Sequence, residues 1–321
     1  MDRFDDIPET ALAWHEAGRG AALATVVQTW GSAPRRVGAQ LTISGEGEIA
    51  GSVSGGCVEG AVVAEALEAI GTGQPVMLEY GVSDGDAFAV GLACGGTIRV
   101  LVEPVGGAMP EQLLRDLCLA RSGRVPVAYV TGIGVTPRLE REGHAERFRM
   151  DRSGFEEDGQ TFVAIHNPPL RLLVVGAVHI AQALVPMARI AGYDPLLIDP
   201  REAFAAQGRF PGETVLQDWP DEGVRAYGLD ARTALVLLTH DPKLDDPALE
   251  EALRSDVFYI GALGSTRTHA KRVERLRGKG VTDAQIARIH APVGLDIGAA
   301  GPAEIALSIL AEITQVLRKG A

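Results

Sequence analysis

Two cysteines that each adjoin a glycine pair are the residues best suited to chemistry: Gly55-Gly56-Cys57 and Cys94-Gly95-Gly96. Adjacent glycines let a backbone approach a ligand closely. In Gly51-Ser52-Val53-Ser54-Gly55-Gly56-Cys57-Val58-Glu59 the pair precedes an apolar-periodic run that continues through Ala61, Val62 and Val63 to Ile70, which predicts a helix with Cys57 in its first turn. The unpaired amides and partial positive charge of a helix N-terminus suit an anion and favour a thiolate. That thiolate could hold a metal or a sulfur centre. A tight turn around a buried cysteine explains the same residues equally well. The second motif, between Gly91 and the apolar Ile98 to Val102, argues for a shared site, with Cys57 and Cys94 drawn together as metal ligands and Gly55, Gly56 and Gly95 giving close backbone access. Cys118 has no flanking glycine and reads as a core or half-buried residue. Arg35-Arg36, in a loop rich in Gly, Ser and Pro, is either a solvated pair or an oxyanion clamp.

These residues need elements to position them. Pro8 to Ala17 is expected as an amphipathic helix and Ala21 to Val27 as a strand leading into the arginine loop. Gln40–Ile43 and Glu48–Val53 form a hairpin about Gly45-Glu46-Gly47 that delivers the chain to Cys57. Further strands are expected at Pro75–Tyr80, Thr97–Val102 and Val125–Thr131, a helix at Pro110–Ala120, and an exposed strand-like run over Arg138–Met150. Gly81 to Gly96 is a glycine-rich loop. Asn167-Pro168-Pro169 marks a linker, which divides the chain into an N-terminal α+β domain, residues 1–168, and a C-terminal domain, residues 169–321.

From Leu170 the pattern is β-α-β: an apolar strand over Arg171–Val175, Gly176, a helix from His179 to Ala191, and a strand over Pro195–Asp199. That is how a Rossmann-like doubly wound parallel sheet begins. Later strands are expected at Thr214–Leu216, Ala234–Thr239 and Phe258–Gly261, and helices at Pro247–Arg254, Thr266–Arg277, Asp283–Ile289 and Pro302–Arg318. A dinucleotide turn wants Gly-x-Gly-x-x-Gly or Ala, and here it reads Gly176-Ala177-Val178-His179-Ile180-Ala181, with branched Val178 where a pyrophosphate must approach. Asp199 is placed for a ribose hydroxyl or for capping the turn at Pro200. Pro186 falls inside the first helix, so that helix either kinks or starts late. Two further strand ends are polar. His240 follows one, as an acid or base or as a backbone-bonded imidazole. Ser265, Thr266 and Arg267 follow the next and offer a phosphate seat. The carboxyl edge carrying Gly176, Asp199, His240 and Ser265 is expected to face the Cys57 loop.

Composition narrows the classes. With 321 residues, 46% hydrophobic content, 5% aromatics and 39 glycines, the chain fits a two-domain α/β protein. A net charge of −12 argues against nucleic-acid binding and against anionic membranes. Three cysteines without a Cys-x-x-Cys pair suggest neither a disulfide framework nor structural zinc. The acidic start, with no export signal and no apolar run of membrane-spanning length, predicts a cytoplasmic protein.

Taken together, the motifs resemble the xanthine dehydrogenase accessory factor family, XdhC/CoxI. Gly31-Ser32-Ala33-Pro34-Arg35 with Gly38-Ala39, Gly55-Gly56-Cys57-Val58-Glu59 and Cys94-Gly95-Gly96 resemble its N-terminal domain. Gly176-Ala177 with His179, Leu238-Thr239-His240-Asp241, Tyr259-Ile260-Gly261 with Leu263-Gly264-Ser265, and His290 to Gly298 resemble its Rossmann domain. The family pattern commonly has glycine where Ser54 and Val178 stand and a basic residue where Gln40 stands. The resemblance implies a chaperone that binds molybdenum cofactor (molybdopterin) and inserts it into an apo molybdenum hydroxylase. It implies no catalytic residue, a cysteine desulfurase or cofactor-modifying enzyme as a further partner, and a homodimer. The competing class is an NAD(P)-dependent oxidoreductase acting through His240.

Overall fold

The computed structural model describes residues 6–31, 33, 35–81 and 96–319. The chain divides into two units, Met1–Pro168 and Pro169–Ala321. Among the described residues no helix is long and apolar enough to cross a membrane.

The N-terminal unit runs α1 (Ile7–Glu16), β1 (Ala21–Trp30), β2 (Gln40–Ser44), β3 (Ile49–Gly51), α2 (Glu59–Thr72), β4 (Val76–Tyr80), β5 (Thr97–Pro104), α3 (Glu111–Ser122), β6 (Val127–Thr131), β7 (Arg138–Glu140), α4 (Ala145–Met150), β8 (Gly154–Phe155) and β9 (Phe162–His166). Antiparallel pairing builds a five-stranded sheet, β3-β2-β1-β5-β4, and a four-stranded sheet, β7-β6-β9-β8. β1 is buried along Ala21–Val27 because both of its faces are covered. Ala22, Ala24 and Val26 meet Val62, Ala66 and Ala69 of α2. Leu23 and Val27 meet Leu114 and Leu117 of α3 and Tyr129 and Phe162 of the second sheet. Such two-sided burial removes the polar-apolar alternation of a half-exposed strand.

The run Arg138–Met150 is not one strand. Pairing stops at Glu140, Gly143 turns the chain at φ +85°, and Ala145–Met150 is helical. The inner neighbour of β6 is instead β9, in register from Val127 opposite His166 to Thr131 opposite Phe162.

The C-terminal unit comprises β10 (Leu170–Val175), α5 (His179–Ile190), β11 (Tyr193–Ile198), α6 (Glu202–Ala205), β12 (Val215–Leu216), α7 (Pro220–Tyr227), β13 (Thr233–Leu237), α8 (Pro242–Leu253), β14 (Tyr259–Ala262), α9 (Thr266–Gly278), α10 (Asp283–Ile286), β15 (Ile289–His290) and α11 (Pro302–Lys319). Its six strands are all parallel in the order β12-β11-β10-β13-β14-β15, the doubly wound arrangement of a Rossmann sheet. Leu172 and Val174 face α5 and α11, while Leu173 and Val175 face Val224 of α7 and Leu249 of α8. α5 starts at His179 and continues through Pro186, so it does not start late. α8 begins at Pro242, five residues before the expected Pro247, because Asp241 caps it by accepting the Lys243 amide at 2.9 Å. Pro247 sits inside that helix and leaves one carbonyl without its helical donor.

Candidate functional site

The Gly-Gly-Cys stretch is a loop built around its own carboxylate. Helix α2 begins at Glu59, so Cys57 lies outside it and is exposed rather than part of its first turn. Gly55 and Gly56 hold φ of +75° and +111°, turning the chain so that its amides converge. The side chain of Glu59 fills that convergence: it accepts from the amides of Val53 at 3.2 Å, Ser54 at 2.9 Å and Gly56 at 2.9 Å, and from both the Ser52 hydroxyl at 2.7 Å and the Ser54 hydroxyl. Ser54 Oγ takes the amides of Cys57 at 3.0 Å and Val58 at 2.9 Å, and Ser52 Oγ takes that of Gly55 at 2.8 Å. Each amide from Val53 to Val58 is thereby occupied, so the converging amides of the glycine turn are filled by the protein's own carboxylate and hydroxyls, while the N-terminus of α2 itself carries no side-chain cap. Burial of Glu59 works against its charge, but the hydrogen bonds from Ser54 and Ser52 prevail and hold its carboxyl down at about 2. What the loop offers outward is the Cys57 thiol.

The arginine loop leads to open space. A cavity of about 620 Å³ is lined by Arg35, Arg36, Gln40, Arg121, His166 and Asn167 among others. Its rim joins the cysteine loop directly, because the Ser52 amide donates to the Gln40 carbonyl at 3.0 Å. Gly38 is required in this wall: φ is +92°, and a Cβ would stand 2.7 Å from Ser153 Oγ. Arg36 is exposed, whereas Arg35 is half-buried with its Nε out of solvent and without a hydrogen-bond partner among the described residues. Arg35 is therefore not one of a merely solvated pair.

His166 and Asn167 were not anticipated as site residues. His166 Nδ1 lies 3.4 Å from Arg121 Nη1, which makes Nδ1 the acceptor and leaves the proton on Nε2, and Nε2 is buried without a partner. Burial, aided by the nearby Arg121 charge, pushes the imidazole down to about 3, so it is neutral at physiological pH. Asn167 presents an equally unpartnered Oδ1. The wall thus mixes cationic, donor and acceptor groups. The one sequence signal was position: His166 ends a strand just before Asn-Pro-Pro. Arg121 is 45 residues away and joins it only through folding.

A second cavity of the N-terminal unit, about 370 Å³, is lined by Glu103 and Thr131. Glu103 is 2% exposed, and its Oε1 accepts from Tyr129 at 2.7 Å and Thr131 at 2.5 Å while Oε2 has no partner. Burial raises its carboxyl to about 7 against the lowering effect of those two hydroxyls. Cys118 is half-buried, and burial pushes its thiol up to about 12. Cys94 and Gly95 lie outside the described residues, among which no group of three or more His, Cys, Asp or Glu is arranged to hold a metal ion.

In the C-terminal unit the carboxyl edge of the sheet gathers Gly176, Asp199 and Thr239. Gly176, at φ +107°, passes so close to Thr239 that a Cβ would meet its methyl group at 2.8 Å. Asp199 is 0% exposed; its oxygens accept from the Ala177 amide at 2.9 Å and from the Arg201 amide and guanidinium at 2.7–3.0 Å. Burial opposes its charge, but Arg201 and the two amides keep its carboxyl below the usual range. A ribose hydroxyl would have to displace Arg201, so the capping role is the one this geometry serves. Val178 forms the N-cap of α5 with its side chain packed on the core, and His179 stands exposed beyond it. His240 is exposed with φ +60°, and Ser265 caps α9 by accepting the Thr268 amide at 3.2 Å.

Comparison with known proteins follows the same division. Residues 14–81 match the XdhC and CoxI family, and residues 172–313 match the XdhC Rossmann domain. The molybdenum cofactor insertion chaperone PaoD of Escherichia coli (strain K12) is 33% identical over 300 residues, covering 94% of this chain and 84% of PaoD. A Bacillus subtilis (strain 168) protein, named as a probable component of xanthine dehydrogenase, is 28% identical over 322 residues, covering 93% of this chain and 94% of that one. A crystal structure from Bacillus halodurans, described as a xanthine dehydrogenase, superposes with a TM-score of 0.65 at 26% identity, covering 98% of this chain and 96% of that chain. The chain belongs to the XdhC and CoxI family.

Proposed function

We propose that this chain binds the molybdenum cofactor as cargo and inserts it into an apo hydroxylase of the xanthine dehydrogenase type. The observation that carries the reading is the 620 Å³ cavity of the N-terminal unit, within the range of about 300–1,000 Å³ of small-molecule sites, with its arginine pair and unpartnered buried Arg35 Nε, His166 Nε2 and Asn167 Oδ1. Its groups suit the cargo. A guanidinium pair binds a phosphate by charge-assisted hydrogen bonds, and the polar wall offers donors and acceptors to a pterin edge. The exposed Cys57 thiol, on the loop tethered to Gln40, is a soft ligand for a molybdenum-sulfur centre, with Cys94 as its companion. The full-length similarity to a named cofactor insertion chaperone supports the same reading. The chain acts in maturation rather than as a catalyst, with the apo hydroxylase as its client and a cysteine desulfurase or cofactor-modifying enzyme, together with a second copy of itself, as partners. Nicotinamide binding is weak in this reading, since Arg201 already holds both oxygens of Asp199, the group a ribose hydroxyl would need.

The test is retention. Released molybdenum cofactor is mixed with the full chain and passed through a sizing column, and molybdenum is counted in the protein peak. Arg35→Ala/Arg36→Ala and Cys57→Ala are each expected to lower retention about tenfold, the equivalent of about 1.4 kcal/mol, with unchanged melting. Absence of retention by the natural chain, together with micromolar binding of a nicotinamide dinucleotide, would favour an oxidoreductase acting through His240.

A further inference from the structure

A cavity of about 260 Å³ lies in the C-terminal unit, between α8 and α9 beyond the carboxyl ends of β13 and β14. Arg267, Lys271, Arg272 and Arg275 line it against two carboxylates, Asp245 and Asp246, an excess of cations in a chain of net charge −12. The four cations are not equivalent. Arg275 is neutralised, its Nε and Nη2 donating to the two oxygens of Asp246 at 2.5 and 2.9 Å. Arg272 is 2% exposed, yet only Nη2 is bonded, to the Leu263 carbonyl at 3.0 Å. Among the described residues the carboxylate oxygen beside it, Asp245 Oδ2, is 3.9 Å away, and its Nε and Nη1 have no partner. A buried guanidinium with two unmet donors is costly unless an acceptor arrives. Asp245 is a poor one. Its Oδ1 is held by the Thr239 hydroxyl at 2.6 Å, and burial raises its carboxyl above the ordinary value against that hydrogen bond and the Arg272 charge.

Arg267 and Lys271, four residues apart and so on one face of α9, are exposed at the rim with no ion-pair partner among the described residues. His240 completes the wall from the β13 side. It is held in the left-handed region, which non-glycine residues seldom adopt and which tends to mark binding loops.

We propose that this cavity binds a phosphate or diphosphate group through Arg272, Arg267 and Lys271. Two rim cations and two buried guanidinium donors match a dianion with several acceptor oxygens. The volume falls below that of a site for a whole drug-sized ligand, so the phosphate end enters and the remainder of the molecule stays outside. Gly176, Ala177 and Val178 of the dinucleotide turn do not line this cavity. It stands apart from the cargo reading, since the same group is carried by a nucleotide and by the pterin cofactor.

The test uses the full chain with Arg35→Ala/Arg36→Ala already introduced, so that the N-terminal arginine pair does not contribute. Inorganic pyrophosphate is titrated calorimetrically at constant ionic strength, and one saturable site per chain is expected. Arg267→Ala/Lys271→Ala, both exposed and so not expected to disturb folding, should weaken it at least about tenfold. Arg272→Lys, which keeps the charge and loses the fork, should weaken it as well. Competition by ADP would assign the site to a nucleotide, and competition by released cofactor but not by its dephosphorylated form would assign it to the cargo. Lack of saturable pyrophosphate binding, or equal binding by the Arg267/Lys271 double variant, would overturn the proposal.

Discussion

Replacing Glu59 with glutamine tests the claim that the Gly-Gly-Cys loop is organised by an internal anion. The carboxylate accepts from three amides and two hydroxyls, and an amide in its place would turn an N–H₂ group toward the Ser54 hydroxyl and the Gly56 amide, both donors in the native loop. The magnitude follows from its acidity. A carboxyl held at about 2 instead of its ordinary 4.5 favours the folded state by at most about 3.5 kcal/mol, at about 1.4 kcal/mol per pH unit. Water at the loop rim screens part of this, so a loss on the order of 2 kcal/mol is expected at pH 7. A depressed carboxyl stabilises the fold above its unfolded value, and that contribution fades as pH falls from 4.5 toward 2. The gap between natural and variant chains should therefore be full at pH 7 and nearly closed at pH 2. Trp14 and Trp30 lie in the N-terminal unit and Trp219 in the other, so denaturant titrations followed by tryptophan emission in a Trp219→Phe background report on the loop's own unit. Equal stability of the two chains at pH 7, or a gap independent of pH, would refute the internal-anion account.

Glu103 should show the opposite slope. Its carboxyl is raised to about 7, so its stabilisation is complete below 4.5 and lost as pH rises through 7, and Glu103→Gln should remove a pH dependence on the order of 3 kcal/mol between pH 4.5 and 8, read from unfolding free energies at both ends. Alkylation with iodoacetamide at pH 8, mapped by peptide mass, should modify exposed Cys57 within minutes and spare Cys118 until denaturant is added, because a thiol pushed up to about 12 is ionised in only about one molecule in ten thousand at that pH.

The parallel sheet was legible because its signals are local. An apolar run, a glycine and a second apolar run define β10, the turn and β11 without reference to the rest of the chain. Proline positions were less reliable. Pro247 reads as a helix start, yet the capping bond of Asp241 to Lys243 sets the start five residues earlier, and packing of Leu244, Ala248 and Leu249 outweighs the one missing donor. Arg138–Met150 misled because polar alternation in a strand and the polar face of a short helix look alike over a few residues. At the candidate site, Arg35 and Arg36 were visible as a pair, whereas His166 and Arg121 meet only when β9 comes beside α3. The five-residue step from Ser54 to Glu59 is plain in the sequence, but only the turn at Gly55 and Gly56 reveals that the carboxylate reaches back to take the amides of Val53, Ser54 and Gly56. Arg272 was hidden for the same kind of reason: among many helical arginines, burial alone sets it apart.

The closure of α11 on α5 and the first strand of its unit has a consequence for how the protein is made. Leu172 and Val174 open the C-terminal core, and Ile309, Ile313 and Leu317 close it, while Glu312 accepts from the Tyr259 hydroxyl at 2.5 Å and the Gly294 amide at 2.8 Å. The N-terminal unit completes its second sheet at His166 and can fold while later residues are still being synthesised. The C-terminal unit closes later. β10 ends at Val175 and α11 begins only at Pro302, so although α5, α7 and α8 cover parts of the sheet sooner, the patch that Ile309, Ile313 and Leu317 seal stays open for more than a hundred residues of elongation after β10.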